Sequence, residues 1–533
     1  MKATAVTQNS QTSATELVFV APGEVSDDAI ASSLQALLPT RQHRIAKRRF
    51  TILDTFDGRV RRTGAYLTRE GENGVSTVAW RSHGGGVQLA MRLQEAASFA
   101  WDFPDGPLQQ RLASVIGPRR LLPQADAEEH GSQLDILDGR GKTVARLRIA
   151  SGQARLPIPA AAWQSLPTLI TLTGLRGYED TYKRLVPVLE SRPGLERCPE
   201  GPVGVMLGRI GVPMRGDASL PQLDLAPTVR ADIGARQIHL ALLDILEANE
   251  PGLRADLDTE FLHDFRVVVR RTRSLLGQIR RVFPQDVMEH FSAEFSWLGR
   301  LTGPPRDMDV LVLTLRQQDS ELLAADRDAL MATLGQTQRQ EHDQLIHALD
   351  SGRYQALLSD WKSFLKGPVS LKPAAENAAG SLAAVVSRRA WRLSRRIAST
   401  AETIDDHTAP ERIHAVRVDA KKLRYLIDVT PAFYDSPALA SVLGALKKLQ
   451  RALGDFNDAD VQQRRFLECG HRLGAGTSPS VLMTLGGLAE QCRQRRERLR
   501  REAVEKLAAF RARDTRLACQ HAFKKAGSPE RSK

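Results

Sequence analysis

Two stretches of this 533-residue chain, 151 positions apart, carry the same array of side chains. His263 is followed by Arg266, Arg270, Arg271 and Arg273, and His414 by Arg417, Lys421, Lys422 and Arg424, so each histidine has a cation at +3, +7, +8 and +10. The match runs on without a gap: Gly303, Asp307, Asp309 and Val310 face Gly454, Asp458, Asp460 and Val461. Such a duplication restricts the fold to two copies of one unit, and it builds the same surface twice.

At 100° per residue, His263, Arg266, Arg270 and Arg273 fall within an arc of roughly 80° on one side of a helix. Phe265, Val268, Val269, Thr272, Leu275, Leu276 and Ile279 collect on the other side, as a core-facing stripe requires. In the second copy His414, Arg417, Lys421 and Arg424 oppose Val416, Ala420, Leu423, Leu426 and Ile427. Both basic stripes are therefore expected to face away from their cores. Like charges at helical spacing destabilise a helix by about a few tenths of a kcal/mol per pair, and neither copy holds enough acids to neutralise itself. One basic run reads as a solvated face. The same run twice, at matched offsets, points to a polyanion held by guanidinium forks and ammonium groups.

The periodicity of the rest divides the chain. Residues 1–14 are polar and expected to be disordered. Residues 15–190 alternate short apolar runs such as ELVFV, STVAW and VQLAMRL with turn signals such as Asp57-Gly58 and Asp138-Gly139, the pattern of a mostly antiparallel β domain. Residues 191–227 hold Pro193, Pro199, Pro202, Pro213, Pro221 and Pro227 with many glycines, which suits a linker. From residue 228 to 515 the apolar period is helical, over 233–249, 260–282, 287–301, 307–317, 321–349, 380–399, 411–429, 438–453 and 458–473. Breaks fall at Pro251-Gly252, Pro284, Gly303-Pro304-Pro305, Gly367-Pro368 and Gly454. Two repeats, about 228–370 and 380–515, each of about four helices, predict two antiparallel bundles related by a pseudo-twofold, followed by a basic tail at 516–533. The expected class is a multidomain α+β chain with a β barrel before an all-α domain.

A formal charge of +13 favours acidic partners: nucleic acid, polyphosphate or an anionic membrane surface. Cys198, Cys469, Cys492 and Cys519 show no paired framework, the N-terminus has no apolar leader, and no apolar run reaches the roughly 20 residues of a membrane span, so a cytoplasmic protein is expected.

The segment H-D-F-R-V-V-V-R-R-T-R-S from His263, with W-L-G-R-L-T-G-P-P-R-D-M-D-V-L from Trp297, resembles the first half of a CHAD domain, the conserved-histidine α-helical domain. H-A-V-R-V-D-A-K-K-L-R-Y from His414, with L-Q-R-A-L-G-D-F-N-D-A-D-V from Leu449, resembles its second half. The resemblance covers roughly residues 228–515. It implies two four-helix bundles around a basic central surface, binding of inorganic polyphosphate, association with polyphosphate granules and polyphosphate-metabolising enzymes, and no catalysis and no cofactor.

The N-terminal region is similar to a CYTH domain, the triphosphate-tunnel barrel. D-T-F-D-G-R-V-R-R-T-G-A-Y-L-T-R-E, from Asp54 to Glu70, follows the first part of that family's D-T-x-D-x-x-L-x-x-x-G-x-x-L-R-x-R pattern. The family's E-x-E-x-K falls on Glu16, Val18 and Val20, its two later arginines on Thr68 and Glu70, and a further E-x-E on Arg146 and Arg148. Metal-bridged phosphate chemistry needs clustered carboxylates, so the resemblance implies a barrel that has lost triphosphatase activity.

Asp307, Asp309, Asp458 and Asp460 are expected to cap helices and pair with the basic stripes rather than bind metal. Arg388, Arg392, Arg395 and Arg396, near Trp391, form another helical stripe that would extend the binding surface. The run from Arg493 to Arg501 reads as mainly solvated. Rival functions are a metal-dependent triphosphatase or polyphosphatase in the barrel, and nucleic-acid binding, which the low aromatic content (5%) disfavours.

Overall fold

The computed structural model describes residues 15–21, 27–36, 38–72, 75–84, 86–212, 223–317, 324–434, 437–473 and 477–524; the segment 1–14 lies outside them. The chain forms two compact units, Met1–Asp217 and Ala218–Lys533. The first is an antiparallel β unit and the second is all helical, as the periodicities predict.

The first unit contains β1 (Glu16–Ala21), α1 (Asp27–Gln35), β2 (Thr40–Asp54), β3 (Ala65–Glu72), β4 (Val75–Ser82), β5 (Val87–Leu93), α2 (Pro107–Ile116), β6 (Leu122–Leu137), β7 (Thr143–Arg155), β8 (Gln164–Gly174), α3 (Glu179–Glu190), β9 (Glu196–Arg197) and α4 (Gly201–Arg209). Its nine strands pair antiparallel in the order β5-β4-β3-β2-β6-β7-β8-β1-β9. Alternation sends Phe19, Leu147, Ile149 and Leu172 to an outer face that α1 and α3 cover, and Leu67, Val78 and Trp80 to one that α2 covers. The sheet rolls up toward its other face. Glu16, one strand from one edge, accepts hydrogen bonds from Ser82 Oγ (2.9 Å) and Gly84 N (2.8 Å), at the end of the strand next to the opposite edge.

The stretch expected as a linker is partly folded. Helix α4 packs Val203, Met206 and Leu207 against Phe50, Ile52 and Tyr66 on the inner face. Its periodicity is short and glycine-rich, so proline and glycine content outweighs it in the sequence.

The second unit contains α5 (Ala231–Arg254), α6 (Thr259–Gln278), α7 (Gln285–Leu301), α8 (Gly303–Gln317), α9 (Ala324–Leu349), α10 (Gly352–Lys366), α11 (Leu382–Ala401), α12 (Pro410–Val429), α13 (Pro437–Arg472), α14 (Pro479–Arg511) and α15 (Arg513–Cys519). The apolar stripes of α6 and α12 are buried at the positions the period marks, from Phe265 to Ile279 and from Val416 to Ile427. Helices α5, α6, α8 and α9 each contact their own copies, α11, α12, α13 and α14. Ala231 N donates to Gly380 O (2.8 Å) and Leu382 N donates to Val229 O (2.9 Å), two bonds that exchange under the 151-residue offset. That reciprocity is the signature of a twofold relation.

The repeats differ in where they bend. The first repeat breaks at Thr302, between α7 and an α8 that opens with Gly303-Pro304-Pro305, whereas Gly454, expected to break its helix, does not: α13 runs unbroken through it. Glycine costs a helix about 1 kcal/mol relative to alanine but removes no hydrogen bond, and the prolines of the first repeat have no counterpart there. Pro251 likewise lies inside α5, which continues to Arg254. Helix α10 matches none of the segments that the period marks, and α15 with the turn after it extends the helical unit to Lys524.

Candidate functional site

Asp258 opens α6, its carboxylate accepting from Glu260 N and Phe261 N. With its apolar face buried, α6 points its cations along α12, its copy. The sequence predicts two equivalent surfaces, each facing away from its core; the twofold instead brings the stripes side by side into one. Arg270 Nε donates to Tyr425 Oη (3.0 Å), and the Arg271 guanidinium lies 5.7 Å from the Tyr425 ring. Arg270 and its counterpart Lys421 are close enough to oppose each other's charge. Burial, and then Arg270 and Arg417, push the Lys421 ammonium down to about 7. Burial also lowers Arg417, with Arg270 adding to it, and Arg417 Nε has no hydrogen-bond partner.

The halves are compensated unequally. In the second repeat Arg417 lies 3.6 Å from Asp458, Lys422 lies 3.3 Å from Asp419, and Arg424 pairs with Asp428 at 2.6 Å. In the first, Arg266 donates to Gly299 O (2.9 Å) and Thr302 Oγ1 (3.1 Å), and Arg273 packs beside Gly299. Among the described residues no carboxylate lies within ion-pair distance of Arg266, Arg270 or Arg273. Asp428 and Tyr425 are matched by Gly277 and Ser274, so the repeats differ in sequence at these two positions.

His414 Nδ1 lies 2.6 Å from Asn457 Oδ1. His263 is half-buried near the start of the same face. Lys422 turns toward α11, where Asp419 also pairs with Arg396. Arg388 and Arg392 line a cleft on one side of α11, and Arg395 lines a separate cleft with Trp391 and Phe510, so residues of the expected third stripe are divided between two clefts.

The aspartates do not cap helices. Asp307 and Asp309 lie inside α8, and Asp458 and Asp460 inside α13, because both helices begin before them. Asp458 pairs with Arg417 of the basic stripe as expected, whereas Asp307 bridges to Arg465 of α13 and Asp460 to Arg496 of α14 (2.9 Å). Burial raises Asp309 to about 6, and it accepts from Gln338 (2.7 Å). Arg500, placed by sequence in a solvated run, is buried over Phe456 and donates to Thr408 O. Among the described residues no three His, Cys, Asp or Glu side chains are grouped to hold a metal ion. Sequence reasoning misses Tyr425, Asp428, Arg280, Arg281 and Arg389. Tyr425 stands inside the second motif, but Ser274 does not match it, so the repeat gives it no mark.

The inner face of the β unit carries a charge network. Arg48 bridges Glu70 (3.1 Å) and Glu129 (3.0 Å), Arg81 reaches Glu70 (2.9 Å) and Thr68 (3.0 Å), and Arg148 pairs with Glu129. Arg146 lies 3.4 Å from Asp135, and Val18 packs with Leu169 and Cys198. Asp54 folds its own turn by accepting from Thr55, Val60 and Arg61 backbone N–H groups.

Residues 237–467 match the family model of the CHAD domain. This part of the chain is a CHAD domain. Two uncharacterized proteins of Mycobacterium tuberculosis, from strains CDC 1551 and H37Rv, are each 26% identical over 298 residues, which is 53% of this chain and 55% of each of theirs. The match therefore spans about half the length of those relatives. Among solved structures, the CHAD domain of the plant Ricinus communis aligns at 26% identity with a TM-score of 0.47, covering 55% of this chain and 96% of that one. PptA from Streptomyces chartreusis aligns at 18% identity with a TM-score of 0.41, covering 53% and 99%. No described helix is long and apolar enough to cross a membrane.

Proposed function

We propose that the surface shared by α6 and α12 binds inorganic polyphosphate, in a non-catalytic, accessory role within polyphosphate metabolism. The observation that carries this reading is the apposition of Arg270, Arg417 and Lys421 across the repeats: burial first, and then the two arginines, lower the Lys421 ammonium to about 7 in the free protein. A linear polyanion relieves that repulsion and gains charge-assisted hydrogen bonds as it releases counterions. The site offers guanidinium forks and one phenol, not the aromatic platforms on which single-stranded nucleic acid stacks.

The β unit supports the same reading. Its inner face pairs its arginines with its own glutamates and is packed by α4, while Val18 and Arg146 stand where the tunnel family's carboxylates would fall.

The test is equilibrium titration of the full chain with long-chain polyphosphate, DNA and RNA. Arg270→Ala/Arg273→Ala, both exposed and without carboxylate partners, is expected to lose tenfold or more in polyphosphate affinity at unchanged helix content. A folded double variant that binds as the wild type does, or a wild type that prefers nucleic acid, overturns the proposal.

A further inference from the structure

A second cluster of cations lies where the end of α6 meets α11. Arg280 and Arg281 follow the last turn of α6, and Arg388, Arg389 and Arg392 project from α11. Together with Gln278, Glu376, Asn377 and Val385 they line a cleft of about 260 Å³. Five guanidinium groups face one carboxylate, Glu376, which pairs with Arg281. Arg389 Nε donates to Gln278 Oε1 (2.7 Å), Arg280 Nε to Gly277 O (3.0 Å) and Arg388 Nε to Ala384 O (3.2 Å), so these three are oriented by neutral acceptors. Burial lowers Arg389; Arg280, Arg396 and Arg392 add to it, and Asp419 opposes it.

The backbone is bent to make this cleft. Arg281 has φ +57°, a left-handed conformation that costs a non-glycine residue about 1 kcal/mol or more. Asn377 holds it there: its N–H donates to Arg281 O (2.8 Å) and its side-chain amide to Arg280 O (2.9 Å). The duplication does not repeat the arrangement. At the 151-residue offset Arg280 and Arg281 are matched by Pro431 and Ala432, and Arg388, Arg389 and Arg392 by Gln237, Ile238 and Ala241. The cluster is therefore not a by-product of the doubled stripe.

We infer that this cleft binds a terminal phosphoryl group, either the end of a polyphosphate chain or that of a free short oligophosphate. It is smaller than the roughly 300–1000 Å³ of pockets for drug-sized ligands. A terminal phosphoryl carries close to two negative charges near neutrality, where an internal one carries a single charge, so it concentrates anionic charge in a small volume. Guanidinium groups arriving from two elements match its several oxygens. The identity of a long chain as the ligand rests on the reading of the α6–α12 surface; the existence of the cleft site does not.

The experiment titrates the full-length protein with tripolyphosphate, with long-chain polyphosphate, and with long-chain polyphosphate whose ends are blocked as phosphoramidates. Arg388→Ala/Arg392→Ala, at exposed positions, is compared with Arg270→Ala/Arg273→Ala. The cleft variant is expected to lose about tenfold in tripolyphosphate affinity, which the surface variant retains. If chain ends are the ligand, blocking them weakens wild-type binding of long chains to the level of the cleft variant; if free oligophosphate is, blocking changes nothing while tripolyphosphate binding still depends on the cleft. Tripolyphosphate binding that is indifferent to the cleft variant overturns the inference, whatever the surface variant does to long chains.

Discussion

Lys421 is the residue on which electrostatics and function meet. Its ammonium is held down to about 7 by burial and by Arg270 and Arg417, against an ordinary value of 10.5. Between those values the unfolded chain binds more protons than the folded one, so the free protein is expected to gain stability as pH rises from about 7 toward 10. A bound polyanion favours the charged form, so binding takes up a proton, and polyphosphate affinity is expected to fall across the same interval. Calorimetric titration in buffers of different ionisation enthalpy reads the proton uptake. Lys421→Met is expected to stabilise the free protein by about 1–2 kcal/mol, from relief of desolvation and repulsion, and to weaken binding at pH 7. Lys421→Arg is expected to bind while losing the pH dependence above 7; an affinity that stays equally pH-dependent in that variant removes Lys421 from the site. The pairing of Lys421 with Arg270 is invisible in sequence, where they lie 151 positions apart and differ only by the offset.

Helices are legible wherever an apolar stripe is long. The buried positions of α6 and α12 are those the period marks, because a helix that must cover a core has no other face to offer. Breaks are less legible. Glycine weakens a helix without ending it, and Gly454 sits in the middle of α13 with open space where a Cβ would stand. Gly454→Ala is therefore expected to stabilise the protein by about 0.5–1 kcal/mol, read from denaturant midpoints. A loss of stability would mean that the second repeat needs flexibility where the first has its bend. The aspartates inside α8 and α13 follow the same logic: once the helix starts earlier than its apolar period suggests, a capping role turns into ion pairing with neighbouring helices.

At the scale of the whole chain, the two units call for different expectations. The rolled sheet keeps the strand pattern and the Asp54 turn, yet Thr68, Glu70 and Arg148 join one network of arginines and glutamates on its inner face. Incubation with tripolyphosphate or nucleoside triphosphates and Mg²⁺ or Mn²⁺ is expected to release no phosphate above background; turnover abolished by a Glu16 substitution would restore the triphosphatase reading. Polyphosphate binding by the helical unit is expected to fall linearly in log affinity with log salt. Arg270→Ala/Arg273→Ala is expected to make that slope shallower, by about one for each phosphate that the variant leaves unneutralised.

The sequence by itself determined the duplication, the class of each unit, the buried stripes and the identity of the cations, because these rest on local period and on residue chemistry that any fold must respect. Tertiary structure decided what the cations meet. Only the twofold packing of α6 on α12 sets Arg270 beside Lys421 and places Tyr425 between the repeats. Only the approach of α11 to the end of α6 gathers five arginines into one cleft. Electrostatic energy depends on separations of a few ångströms between residues far apart in the chain, and no pattern within one helix records those separations.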